Sequence, residues 1–278
     1  MEQKQNESLQ RLLDILGLDD EPMGIFYSDE KPAEGFSPKP MDLPTREKEM
    51  KGEIDWRRIF GQFSCVMGNI WRARKKKTVA YFDEERFGCP GGAFWLGFMT
   101  PQTDTIIHYV SSGIPNQMKG ELYCESPSEL KRIFDYIDPI PAPKRYCIVK
   151  TLGLFSGNEE PEFVSFFARP ETLCGLHQLA AFVTSDPEVV ASPWGAACTN
   201  LITWPRKYHA QGQNRAVLGG WDPSARKFFR TDELTFTVPY LMFNQMVERF
   251  EESFLTTKTW ATVKKKIARS KRAWGEEN

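Results

Sequence analysis

Residues 65–98, CVMGNIWRARKKKTVAYFDEERFGCPGGAFWLGF, decide how the chain is read. Cys65 opens a helix-like run that ends in basic residues, and a strand is predicted over 78–82. GCPGGAFWLGF then reads as a glycine turn entering a second helix, with Pro90 suited to its first position. The same order recurs downstream. Cys174 lies in a helix predicted over 171–183, a short strand follows at 189–190, and WGAACTNLI at 194–202 is again a turn into a helix, carrying Cys198. The interval from Cys174 to Cys198 equals that from Cys65 to Cys89. Val110-Ser-Ser-Gly113 parallels Val217-Leu-Gly-Gly220, and LYCESP at 122–127 parallels LTFTVP at 234–239, with a helix after each.

This pattern points to an α+β fold built as two fused α+β repeats about a pseudo-twofold axis. The first occupies 1–140, with an inserted loop at 31–53, and the second occupies 141–278, with a basic C-terminal tail over 264–272. DPIPAPK at 138–144 marks the join, because clustered prolines interrupt regular structure. The bland alternative is that the equal spacing is coincidence and the cysteines are small buried residues at tight helix–strand crossings.

Working outward, Leu9, Leu12, Leu13 and Leu16 fall at helical spacing ahead of a stop at Gly17. MGIFY at 23–27 and EFVSFF at 162–167 read as buried strands, and 106–110, 121–123 and 146–151 as further strands. Residues 233–238 alternate with period two, as a half-buried strand does. Helices are predicted over 128–136 and 240–254.

Composition narrows the function. The chain has 278 residues, with Lys+Arg 36 against Asp+Glu 37 and a net charge of -1. That balance argues against a nucleic-acid binder. With 41% apolar residues it buries a real core. The polar start MEQKQNESLQ shows no secretory signal, and no apolar run is long enough to cross a membrane, so a cytoplasmic location is expected. Six cysteines in that compartment are free, ligating or catalytic rather than disulfide-bonded.

Cys65, Cys89, Cys174 and Cys198 would converge at the axis. Four thiolates around one point suit an iron–sulfur cluster of the 4Fe-4S type, or zinc, although no CxxC pair is present. Gly91 and Gly92 would expose backbone amides to the cluster or to an anion. With Cys174 absent from the ligand set, an open iron would act on a small anionic substrate held by Arg226, with Arg215 and Arg230 beside it. A fully ligated cluster would instead serve a redox partner. A second reading is a binding module, with a dry pocket between the repeats for a small molecule or haem. Trp71, Trp95, Trp194 and Trp204 would wall it, or would be plain core, and the cysteines would be structural with no cluster. A third makes Cys89 an acidic nucleophile at a helix N-terminus. His177 lies one helical turn from Cys174, and His209 sits in a polar loop. Cys124 and Cys147 read as core. No phosphate loop, dinucleotide fingerprint or zinc-protease motif occurs.

LGLDDEPMGIFY, CVMGNIWRARKKK, GCPGGAFWLGF, WGAACTNLI, and the Gly-Gly and Arg226 ahead of DELTFTVP resemble the domain-of-unknown-function-169 family, over roughly 9–250. The resemblance implies an α+β cytoplasmic protein of prokaryotes, many of them anaerobes, and says little about chemistry. Cys174 is the position that fits the family pattern least.

Overall fold

The computed structural model describes residues 3–100, 103–157 and 159–275, and the remaining positions, which include the start of the first expected repeat and the end of the second, lie outside the described residues. The elements run α1 (Gln3–Leu16), β1 (Met23–Ser28), α2 (Arg46–Met50), α3 (Trp56–Gly61), α4 (Val66–Lys76), β2 (Val79–Phe82), α5 (Pro90–Trp95) and α6 (Thr105–Val110). Next come β3 (Gly113–Ile114), β4 (Met118–Lys119), α7 (Pro127–Ile137), β5 (Tyr146–Thr151), β6 (Phe163–Ala168), α8 (Pro170–Thr184) and β7 (Val190–Ala191). A π-helical turn at Thr199–Thr203 leads into α9 (Trp204–Ala210), followed by β8 (Ala216–Gly219), β9 (Leu234–Pro239), α10 (Tyr240–Arg249) and α11 (Lys258–Trp274).

One mixed sheet of seven strands organises the chain, in the order β2-β5-β1-β6-β9-β8-β7. All its pairings are antiparallel except β7 with β8. Successive side chains alternate between faces. On β6, Phe163 and Phe167 enter one core, while Val164, Phe166 and Ala168 enter the other. Both faces of that strand are covered, which is why EFVSFF reads as a continuous apolar run. On the first face α4, α5, α7 and α9 pack with the π-helical turn over Met23, Ile25, Tyr27, Val149 and Val217. On the second, α1, α8 and α10 pack over Phe236 and Val238, with Trp260 of α11 at the rim.

The fold is therefore α+β, but a pseudo-twofold duplication is not shown. A twofold relating the antiparallel neighbours β1 and β6 runs along the sheet normal and keeps every element on its own face. The helix opened by Cys65 lies on the first face and the helix bearing Cys174 on the second. The mirrored part is the strand order, β2-β5-β1 against β8-β9-β6.

Several local expectations change for physical reasons. Residues 106–110 form helix α6, not a strand: His108 N bonds Asp104 O at 2.9 Å, and Ser111 N bonds Ile107 O at 3.2 Å. A short apolar run is ambiguous by pattern alone, and here helical contacts decide. Residues 121–123 pair their amides with carbonyls at the end of α6 rather than with a strand: Glu121 N with Tyr109 O and Tyr123 N with Val110 O. The helix expected over 240–254 ends at Arg249 and continues as 3-10 turns. The loop expected at 31–53 carries α2 and a bridge from Phe36 to Ala80. The proline-rich 138–144 segment is packed down: Ala142 N bonds Gly97 O, and the buried Arg206 guanidinium donates to Ile140 O and Pro141 O at 2.9 Å each.

Candidate functional site

On the first face of the sheet the helix termini leave a cavity of about 570 Å³. Its floor begins at one crossing. Ser64 N bonds Gly88 O at 2.7 Å, and Gly88 holds φ +82, where a side chain would run into the Ser64 carbonyl. The two chains lie side by side there, so Cys65 and Cys89 both line the cavity as the residues that open α4 and α5. Cys198 reaches the same cavity from the start of the π-helical turn. That turn is anchored by Thr203 Oγ1 donating to Trp95 O at 2.7 Å. It is also anchored by Ala197 N donating to Asp222 Oδ2 at 3.1 Å.

Aromatic rings make the walls. Tyr109 stacks on Phe60 with centroids 4.7 Å apart, and Phe63 meets Phe60 edge-on at 4.9 Å. Trp95 meets Phe134 edge-on at 4.6 Å on another side. Tyr123, Trp194 and Trp221 line the cavity yet remain 37%, 43% and 51% exposed, so they form its mouth. Their positions are fixed from behind: Trp204 Nε1 donates to Trp194 O, and Trp221 Nε1 to Ser192 Oγ, each at 2.9 Å.

Among the described residues, Glu121 and Asp222 are the charged groups of the lining. Tyr109 Oη donates to Glu121 Oε1 at 3.3 Å. Burial, and then the charge of Asp222, push the Glu121 carboxyl up. Burial, and then Glu121, push the Tyr109 phenol to about 12. Asp222 Oδ1 accepts from Ser224 N and Ser224 Oγ, which closes the turn after Trp221. The thiols are protonated at neutral pH. Burial, and then its neighbour Cys65, push Cys89 to about 12, and burial raises Cys198 and Cys65 as well. A nucleophilic thiol needs the opposite shift, so an acidic Cys89 is not what this site provides.

The expected metal centre is overturned. Among the described residues, no group of three or more His, Cys, Asp or Glu can hold a metal ion, which removes the iron–sulfur, 4Fe-4S assignment to Cys65, Cys89, Cys174 and Cys198. Cys174 is exposed on α8, across the sheet from the cavity. The Cys89 sulfur is turned back on its own helix, where it accepts the Gly92 amide at 3.2 Å. Gly91 and Gly92 line the cavity, but their missing side chains are accounted for by packing. A Cβ on Gly91 would meet Ile106 Cδ1 at 2.7 Å, and one on Gly92 would meet Val66 Cγ2 at 2.8 Å and the Phe87 carbonyl.

The remaining candidates lie elsewhere. Arg226 is outside the lining, and its guanidinium donates to the carbonyls of Gly220, Arg230, Thr231 and Glu233. Arg230 pairs with Asp19, Asp20 and Glu233, and Arg215 with Glu188. His177 and His209 are exposed. Trp71 packs near Phe228, away from the cavity, and Trp204 sits behind Trp194. Sequence reasoning missed Phe60, Phe63, Tyr109, Glu121, Tyr123, Trp221 and Asp222. Trp221-Asp222-Pro223 carried a signal, since an Asp before Pro is a turn former, but nothing tied that turn to Cys198.

The DUF169 family, described as Uncharacterised ArCR, matches residues 11–249. No curated protein and no solved structure matches the chain.

Proposed function

The chain belongs to the DUF169 family, and from the chemistry of the cavity we propose that it binds a small, mostly apolar organic molecule. The observation that carries this reading is an aromatic-walled cavity of about 570 Å³ whose mouth keeps Trp194 and Trp221 roughly half exposed. Ligand sites are concave, mostly apolar and furnished with few polar groups, and their usual volumes span about 300–1,000 Å³. Exposing two tryptophans at one rim costs solvation that a bound molecule recovers. The protonated thiols of Cys65, Cys89 and Cys198 contribute soft, weakly polar surface to the floor.

The neutral dye N-phenyl-1-naphthylamine tests this directly. It is expected to bind at one saturable site with blue-shifted emission, and Ala196→Trp, which fills the cavity from its wall, is expected to abolish that signal. Absence of saturable binding, or an unchanged signal in the filled variant, contradicts the reading. A sharp Soret band in freshly purified protein would identify haem and displace the proposal of a metal-free ligand.

A further inference from the structure

We propose that the cavity selects an organic cation, a protonated amine carried on an apolar or aromatic body. This rests on the reading of the cavity as a ligand site and names the class of molecule it takes. Among the described residues its lining carries Glu121 and Asp222 and no Lys, Arg or His. The nearby cation, Lys227, is exposed and lies over the Phe228 ring at 5.3 Å, outside the lining. The other titratable groups facing the space are the thiols Cys65, Cys89 and Cys198 and the phenols Tyr109 and Tyr123, all shifted upward and all neutral at pH 7. The cavity therefore carries negative charge with no internal counterion.

Each class of ligand meets that field differently. An anion is repelled by both carboxylates. A neutral molecule strips water from them and returns at most a hydrogen bond, with no opposite charge. A cation compensates that loss and also sits among the aromatic rings of Tyr109, Phe60, Trp194 and Trp221, which attract positive charge. Glu121 has its Tyr109 bond at Oε1, which leaves its second oxygen to receive an ammonium N–H. Asp222 adds charge from the segment after Trp221, while its oxygens accept from Ala197 N and Ser224 N.

Competition against the naphthylamine dye decides the matter. The probes are 2-phenylethylamine, 2-phenylethanol and 3-phenylpropionate, which share a body and differ in charge. The amine is expected to displace the dye about tenfold more tightly than the alcohol, and the carboxylate most weakly. Glu121→Gln is expected to weaken the amine about tenfold and leave the alcohol unchanged. Asp222→Asn should act in the same direction, but Asp222 also caps a turn, so the Glu121 variant carries the test. Amine affinity should fall as the pH is lowered into the range where the Glu121 carboxyl, pushed up by burial and by Asp222, gains a proton. Equal affinities for amine and alcohol overturn the inference, as does an equal loss of both in Glu121→Gln. Dye binding that no amine displaces overturns it while leaving the cavity reading intact. A protein that fails to bind the dye as well overturns both.

Discussion

At the scale of single residues, burial governs the cysteines more than any partner does. Cys174 is exposed, Cys147 and Cys198 are buried, and Cys65 and Cys89 are partly buried in the lining of the cavity. Iodoacetamide at pH 7.5 is expected to label Cys174 first and to leave Cys89, Cys147 and Cys198 unmodified in the folded state, as read by peptide mass spectrometry. Early labelling of Cys89 would contradict the shift described here. The same shifts set an alkaline limit. Cys89 and Cys147 are raised from 9.0 to about 12, so the folded state holds protons that the unfolded chain releases. Their contribution is complete below pH 9 and is lost as pH rises from there through 12. Urea midpoints are expected to fall over that range, and Cys147→Ala should shallow the fall. Cys65, Cys89 and Cys198 line one cavity, each at the entry to a helical segment, but among the described residues they form no group that could hold a metal ion. Equal spacing misplaced Cys174, since spacing says nothing about which face of a sheet a helix covers.

At the scale of elements, two joints hold the cavity's helices in place. The first is the Ser64–Gly88 crossing. Gly88→Ala puts a Cβ on the Ser64 carbonyl at a positive φ, and a cost of about 2 kcal/mol is expected. Dye binding should weaken along with stability, because α4 and α5 are spread apart, and stability lost with binding untouched would break that link. The second joint is Arg74 of α4. It pairs with Asp20 after α1 and with Glu233 ahead of β9, and it lies over the Phe167 ring at 4.4 Å. Arg74→Met leaves Glu233, which is 1% exposed, with Arg230, whose guanidinium lies 3.5 Å away and whose backbone amide donates at 3.3 Å. About 3 kcal/mol of destabilisation is expected, partly recovered by adding Glu233→Gln. Denaturant titration of the single and double variants checks it. Strands such as MGIFY and LTFTVP were readable because burial on the sheet imposes their pattern. Helix α6 was not, because four apolar side chains in six residues fit either element and tertiary packing chose.

At the scale of the molecule, one sheet separates two unlike cores. The second face is filled by α1, α8 and α10 and is plain packing. The first face closes only partly, and the gap is the cavity. Among the described residues, no helix is long and apolar enough to cross a membrane. The mixed α+β class followed from the order of predicted elements, whereas the repeat is not shown, the two cysteine-bearing helices lying on opposite faces of the sheet. The site's aromatic wall was illegible for a related reason. Phe60, Tyr109, Tyr123 and Trp221 come from four separate short segments, and only the folded sheet brings them around one space.

The most direct measurement is a titration of the protein and of its Ala196→Trp variant with N-phenyl-1-naphthylamine, followed by emission. Saturation at one site in the first and none in the second is the expected result. A dye signal that is absent from the first, or equal in the two, would contradict a ligand site on this face of the sheet.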